Sequence, residues 1–180
     1  MFVQIEATPN PNSLKFLPGK TVSNNGSFEV TKKEETDSEL VRNLLSIDGV
    51  VSVFLGSDFL SINKKEGINW EDIKHIVISL INDFYSTGKE FVIANGLTRE
   101  KREEHSEIEK KIISILETKI RPAVAKDGGD IKFREFKNGI VKVELQGSCS
   151  GCPSSTMTLK QGVQNLLCHY LPEVKEVVAI

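Results

Sequence analysis

A segment dense in charges of both signs divides this chain and limits it to two small folded blocks. Residues 94–106 read ANGLTREKREEHS and contain almost no large apolar side chain. Such a composition buries too little apolar surface to join a core and is typical of a solvated linker. For a chain of 180 residues, we therefore predict an N-terminal domain at residues 1–88, a linker at 89–106 and a C-terminal domain at 107–180.

The N-terminal block alternates strand and helix patterns. Short alternating runs, separated by turns such as TPNPN, predict strands, and a helix is expected at residues 70–86. The apolar positions of that helix repeat with helical spacing and are expected to face the core: Ile73, Ile76, Val77, Leu80, Ile81 and Phe84. We expect a mixed α/β sheet domain without a chemical site.

The C-terminal block has the order α-β-β-α-β. A helix from Glu107 is broken by the run DGGD, which we interpret as a structural turn, and Asn138-Gly139 is a strong hairpin signal because both residues tolerate positive φ. The second hairpin strand leads through a cysteine-containing turn into another helix, and a last strand is expected at residues 174–180. The predicted fold class is therefore α/β (α+β), with two small domains.

Two cysteines lie where the second hairpin strand passes into the following helix. The run QGSCSGCP spaces Cys149 and Cys152 as C-x-x-C, which brings two sulfurs onto one tight turn. Gly147 and Gly151 allow the backbone to bend and direct N–H groups at sulfur, and the following helix N-terminus adds partial positive charge. Both effects favour the thiolate, so we predict that Cys149 and Cys152 are ligands of a metal centre.

Three kinds of site are compatible with this pair. A thioredoxin-like redox pair is expected in a βαβ unit early in a domain, whereas here the preceding strand is one arm of a hairpin. A structural zinc site needs four ligands, and the block offers no second ligand pair. An iron–sulfur cluster with four cysteine ligands also lacks two of them within one chain.

The remaining cysteine and the histidines do not supply the missing ligands. Cys168 lies late in the same predicted helix, roughly 20 Å from the pair at about 1.5 Å per residue, and is expected to be a partly exposed thiol. His75, His105 and His169 are expected at the surface or in the linker. Two copies of the chain facing across a two-fold axis would complete a four-cysteine site. We therefore expect cluster binding and dimerisation to be one event, at an exposed and labile site that suits a carrier.

Composition and charge exclude several other functions. The net charge of −2 gives no basic field for nucleic acid, and no run approaches the roughly 18 apolar residues of a membrane span. Three cysteines, an odd number, argue against a disulfide framework and fit a reducing compartment. The sequence shows no arrangement of catalytic residues that would support hydrolysis, and we expect that the protein is not an enzyme. Because the first residues lack a targeting pattern, we expect a cytoplasmic (bacterial) location, or the mitochondrial matrix for a mature eukaryotic form.

The motifs closely resemble those of a known family. RPAVAKDGGDIKF, followed by GIVKVELQGSCSGCPSSTMTLKQGV, resembles the C-terminal domain of the NifU-like (Nfu) iron–sulfur proteins. The run ATPNPNSLKFLPGKTV is similar to the Nfu N-terminal domain. Both halves match in order, so the resemblance covers nearly the whole chain apart from the linker. The cysteine run with DGGD upstream is far more specific than C-x-x-C alone.

The resemblance implies a 4Fe–4S cluster bridged by Cys149 and Cys152 of two subunits. It also implies a carrier or scaffold of iron–sulfur cluster assembly, a homodimer when loaded, which takes clusters from upstream donors and transfers them to apo-proteins. Cys168 has no ligand role in the family pattern. The larger NifU proteins have a further scaffold domain and a ferredoxin-like section that this sequence does not show, so we expect carriage rather than synthesis. A thiol–disulfide oxidoreductase and a zinc-stabilised interaction module are the alternatives.

Overall fold

The structure is a computed structural model that describes residues 2–24, 26–90, 92, 104–150 and 153–180. The chain divides into two compact units, Met1–Arg99 and Glu100–Ile180, each with its own apolar core. Helices and sheets are mixed along the chain, which confirms the predicted α/β (α+β) class with two small domains. Most of the predicted linker lies outside the described residues, so its bounds stay a prediction.

The first unit packs helices against a five-stranded antiparallel sheet, in which the strands, numbered along the chain, lie side by side in the order 1-2-5-4-3. Its core combines inward-facing strand residues such as Phe16 and Ile62 with apolar residues of both helices. The elements in chain order are β1 (Gln4–Ala7), β2 (Ser13–Leu17), β3 (Phe28–Val30), a 3-10 turn (Lys33–Glu35), α1 (Glu39–Leu45), β4 (Val50–Leu55), β5 (Leu60–Lys64) and α2 (Trp70–Ser86).

Helix α2 has the predicted bounds and, apart from Ile76, the predicted face against the core. It begins after Asn69, whose side chain accepts a hydrogen bond from the Glu71 N–H at 3.1 Å. The buried positions, spaced four residues apart, are Ile73, Val77, Ile81 and Tyr85. The expectation that Ile76 faces the core was wrong, since its side chain is 47% exposed. Tyr85 ends the buried stripe, and its hydroxyl donates to the Thr21 carbonyl at 2.8 Å.

The second unit has the predicted order, and its first helical stretch ends at the DGGD run as expected but contains a π-helical turn. Its elements are α3 (Glu107–Ile115), a π-helical turn (Leu116–Ile120), α4 (Arg121–Lys126), β6 (Gly129–Lys137), β7 (Ile140–Gly147), α5 (Pro153–Tyr170) and β8 (Glu176–Ala179). Strands β6 and β7 pair antiparallel, and β7 and β8 pair parallel, with α5 as the connection between them. Hence the cysteine turn lies at the carboxyl end of β7, where α5 is about to begin.

Proline explains the π-helical turn. Pro122 has no N–H to donate to the carbonyl four residues before it, and its ring crowds that carbonyl. The turn widens, and the Arg121 N–H donates to the carbonyl of Leu116, five residues back. The helix therefore continues past Pro122 to Lys126 and brings Arg121 close to the start of β6.

The β6–β7 hairpin confirms the prediction from Asn138-Gly139. Both residues have positive φ, 52° and 78°, as the two central positions of a tight hairpin turn require. Along β7, Val141 and Val143 are buried, whereas Lys142 between them is exposed. The alternation fixes one face of the sheet against the core of this unit.

Among the helices in the described part of the chain, none combines the length and apolar character that crossing a bilayer requires.

Candidate functional site

The backbone turns sharply at the end of β7 and places Cys149 just beyond it. Gly147 has φ of +69°, a conformation that favours glycine. Its carbonyl then accepts hydrogen bonds from the Ser150 N–H at 3.2 Å and the Ser150 hydroxyl at 2.8 Å. The Cys149 carbonyl accepts from the Thr156 hydroxyl at 3.0 Å, which ties the turn to the first part of α5.

The DGGD run lies directly against this turn. The Ser148 N–H donates to the Gly128 carbonyl at 3.2 Å, and the Ser148 hydroxyl donates to the Asp127 carbonyl. In the hairpin register, Gly129 of β6 pairs with Gly147 of β7, two residues before Cys149. The structural interpretation of DGGD holds, but the run also forms one wall of the candidate site.

Asp130, the last residue of the DGGD run, is buried. Its carboxylate accepts two hydrogen bonds of 2.8 Å from the Arg121 guanidinium, and one oxygen also accepts the Ile131 N–H at 2.8 Å. Such a paired arginine–carboxylate contact is strong and directional. It joins the end of the first helix to the start of β6, next to Gly129.

Cys149 is buried within its own chain. It is 8% exposed and belongs to the apolar cluster that also contains Leu145 and Val163. The pKa of the Cys149 thiol is raised to about 11, mainly by burial; the contact with Ser148 lowers the pKa, and the charges of Asp127 and Asp130 raise it. The expectations of an exposed site and of a favoured thiolate were therefore wrong for Cys149, because removal from water outweighs the hydrogen bonding of the turn.

Gly129 is the residue of this site that the sequence argument missed. A Cβ built on Gly129 would lie 2.7 Å from the Cys149 sulfur and 2.7 Å from the Gln146 carbonyl oxygen. Ordinary atoms of these types do not approach so closely, so only glycine fits here. Counting residues back from the Asn138-Gly139 turn pairs Gly129 with Ser148, one residue from its observed partner Gly147, because the count omits the bulge between Phe133 and Glu135.

Of the other residues that the sequence singled out, Cys168, His75 and His169 lie in the described part of the chain and Cys152 does not. Cys152 lies outside the described residues, so its role as a ligand stays a prediction. Cys168 is partly buried, packs against the core of this unit and donates from its sulfur to the Val174 carbonyl at 3.2 Å. His75 and His169 are exposed, as predicted. In the described part of the chain no group of three or more His, Cys, Asp or Glu side chains could hold a metal ion.

Comparison with known proteins gives the same assignment for both units. Residues 3–88 match the family model for the N-terminal domain of the scaffold protein Nfu/NifU, and residues 112–178 match the model for the NifU-like domain. The chain is 45% identical to "NifU-like protein 4, mitochondrial" of Arabidopsis thaliana, in an alignment that covers 98% of this chain and 65% of that protein.

A human relative and a solved structure are also similar. "NFU1 iron-sulfur cluster scaffold homolog, mitochondrial" of Homo sapiens is 44% identical, with 98% of this chain and 71% of the relative covered. The solution structure of a NifU-like protein from Saccharomyces cerevisiae is 30% identical, covers 53% of this chain and 87% of its own, and has a TM-score of 0.49. The chain spans about two thirds of the length of the two curated relatives. With both domain models matched in order and such identity over nearly its whole length, the chain belongs to the NifU-like (Nfu) family of iron–sulfur cluster scaffold proteins.

Proposed function

We propose that two copies of this chain hold one 4Fe–4S cluster between them and deliver it to apo-proteins. Cys149 and Cys152 of each copy supply the four thiolates that such a cluster takes. The observation that carries the proposal is the position of Cys149, on the turn between β7 and α5 of a NifU-like domain.

The cluster is cargo in this proposal rather than a resident cofactor. A site divided between two chains opens when the chains separate, which suits release to a recipient. The chain itself provides ligands and a polar turn, and we assign no catalytic residue.

The N-terminal domain is proposed to recognise donors or recipients. The curated relatives described above are named as mitochondrial proteins, which favours the mitochondrial matrix among the locations expected from the sequence.

Two alternatives follow from the sequence, and each has an argument against it. For a disulfide oxidoreductase, β7, α5 and β8 do form a βαβ unit, but Cys149 lies late in its domain, whereas such a pair is expected early. A structural zinc site needs four ligands, and the sequence of this unit offers no second ligand pair.

Anaerobic reconstitution with iron and sulfide tests the proposal. We expect a 4Fe–4S signature in Mössbauer spectra and a native mass equal to two chains plus one cluster. The loaded protein should then restore an apo-enzyme that requires a 4Fe–4S cluster. A stable monomer that holds a whole cluster would overturn the bridging arrangement.

Serine substitutions separate the ligands from the spare thiol. Cys149→Ser and Cys152→Ser should each reduce cluster content to background and leave the chain monomeric under the same conditions. Cys168→Ser is the matched control, because Cys168 lies at the far end of α5, and it should load like the wild type. Equal loss of cluster in all three variants would argue against the assigned ligands.

A pull-down tests the role assigned to the N-terminal domain. The full chain and a fragment of residues 107–180 should be compared as baits for recipient proteins under anaerobic conditions. We expect recipients to be retained by the full chain and lost from the fragment. Equal retention by the two baits would assign recognition to the C-terminal domain instead.

A further inference from the structure

We propose that Gly129 and Thr156 position the sulfur of Cys149 in a closed resting state, and that the sulfur must leave this state before a shared cluster can form. We call the space that Gly129, the Gln146 carbonyl and the adjacent apolar cluster form around the sulfur the Cys149 seat. This inference rests on the proposed function, since it concerns how the same cysteine becomes available to a second copy.

The seat has room for the sulfur and little else. A single added methyl group at Gly129 would lie 2.7 Å from the sulfur and 3.2 Å from the Cys149 Cβ. Because Cys149 is only 8% exposed within its own chain, little of the residue is open to a partner. An iron centre carried between two chains is much larger than a methyl group, so it cannot reach the sulfur in this position.

Local contacts keep the sulfur in the seat. The Thr156 hydroxyl holds the Cys149 carbonyl at 3.0 Å, and Ser148 binds the carbonyls of Asp127 and Gly128. Gly147, with its positive φ, lies immediately before this group and can accommodate a change of backbone direction. The sulfur can therefore leave the seat by a movement of the turn, without disruption of the β6–β7 pairing.

The closed state gives the unloaded chain a specific property. A thiol inside the seat is shielded from oxidants, stray metal ions and alkylating reagents until the turn opens. Loading then includes an opening step, which the contacts of Gly129 and Thr156 control. These are positioning residues, because they act through Cys149 and do not themselves provide a ligand.

Alkylation resolved by residue tests the seat without any cluster. The unloaded chain is treated with iodoacetamide under anaerobic conditions, and mass spectrometry of peptides gives a separate rate for each cysteine. In the folded wild type, Cys149 should react at least about tenfold more slowly than in urea, which is the protection that about 1.4 kcal/mol of opening free energy provides. Equal rates in the folded and denatured chain would overturn the proposal.

Substitutions at the seat should release Cys149 selectively. Gly129→Ala places a methyl group against the sulfur and should increase the rate at Cys149, while Cys168, packed in the same core, keeps its wild-type rate. Gly162→Ala is the matched control, because a Cβ there meets no atom within 4 Å. An equal increase at Cys149 and Cys168 would indicate general loosening and contradict the proposal.

A second variant decides the question if Gly129→Ala does not fold. Thr156→Val removes the hydroxyl that binds the Cys149 carbonyl and nearly keeps the side-chain volume. It should also accelerate alkylation of Cys149, and Thr156→Ser, which keeps the hydroxyl, should return the rate to that of the wild type. An unchanged Cys149 rate in Thr156→Val would contradict the proposal.

Cluster loading separates this inference from the proposed function. With iron and sulfide, the variants that open the seat should load faster than the wild type and reach the same ratio of one cluster to two chains. Unchanged loading rates in variants with accelerated alkylation would show that opening does not limit loading. If no variant and no wild type loads a cluster, the proposed function fails, while the alkylation rates still test the seat.

Discussion

The contact between Arg121 and Asp130 shows how single residues away from the sulfur support the site. Asp130 lies next to Gly129 in β6 and is buried, and Arg121 follows the π-helical turn. Their two hydrogen bonds join the helix to the strand that forms the wall of the Cys149 seat. The ion pair therefore contributes to the stability of the unit and to the position of that wall.

Removal of the Asp130 charge should destabilise the C-terminal unit. Asp130→Asn leaves Arg121 facing a neutral amide, and we expect a loss of about 2–3 kcal/mol in the free energy of unfolding. Urea unfolding followed by far-UV circular dichroism measures it. Glu135→Gln is the control, because Glu135 and its partner Lys142 are both solvent-exposed, and it should leave the midpoint unchanged. Equal effects of the two substitutions would contradict this account.

Tyr85 provides a pH-dependent prediction in the N-terminal unit. Burial raises the pKa of its hydroxyl to about 12, above the value of about 10 for a free tyrosine. The unfolded chain therefore loses this proton first, so the stability that Tyr85 contributes is complete below about pH 10 and is lost as the pH rises through about 12.

Ultraviolet absorbance of tyrosinate measures this titration. The chain has two tyrosines, so the spectrum of the wild type minus that of Tyr85→Phe reports Tyr85 alone. The difference should appear with a midpoint about two pH units above that of a free tyrosine. A midpoint near pH 10 in the folded chain would show that the hydroxyl is not buried as described.

At the scale of elements, the β6–β7 hairpin depends on its turn. Gly139 has φ of +78°, and an added Cβ would lie 3.0 Å from the Lys175 side chain and 3.2 Å from the Glu173 carbonyl. Gly139→Ala should therefore cost about 1–2 kcal/mol in the unfolding of this unit. Asn138→Gly tests the neighbouring position, where glycine adopts the observed positive φ easily, and should cost much less. The same urea experiment measures both variants, and a larger loss for Asn138→Gly would be inconsistent with the turn.

The elements themselves could be predicted because their patterns are local. The bounds of α2 follow from apolar spacing and a capping Asn69, and the hairpin follows from two residues that accept positive φ. The buried face of α2 was less accurate: Ile76 fits the helical period but falls at the margin of the stripe. Apolar periodicity therefore predicts that a helix has a buried face more reliably than it predicts which residues lie at the margin of that face.

The candidate site could be predicted only in outline, since its environment depends on distant contacts. The motif identifies Cys149, but its burial results from Gly129, twenty positions earlier in the sequence. Their meeting depends on the hairpin register, which a bulge between Phe133 and Glu135 shifts. Likewise, the ion pair of Arg121 depends on the helix continuing through Pro122, where sequence rules favour an interruption.

At the scale of the whole molecule, the two units have separate cores. The apolar cluster of the first unit contains residues up to Val92, and that of the second begins at Ile108. The first helix of the second unit, α3, is capped by residues next to it in the sequence: the side chains of Ser106 and Glu109 each accept a hydrogen bond from the other's backbone N–H. Each unit should therefore fold as a cooperative body of its own.

Different spectroscopic probes can follow the two units separately. Trp70 is the only tryptophan of the chain and lies in the first unit, so its fluorescence should report that unit alone. Asp130→Asn should lower the circular dichroism transition of the second unit and leave the Trp70 transition in place. A fragment of residues 104–180 should fold without the rest and keep the urea midpoint of its unit. A parallel shift of both transitions would show that the units unfold together.

The π-helical turn at Leu116–Ile120 separates two helical segments with different angular phases. Each residue of an α-helix rotates the chain by about 100°, and a widened turn offsets the segments on its two sides. Ile112 can thus face the core in one phase, while Arg121 faces Asp130 in another. Substitutions that rotate α3 slightly within the core can be absorbed at the wide turn. The Arg121 guanidinium can therefore keep its direction toward Asp130 when the sequence of α3 changes.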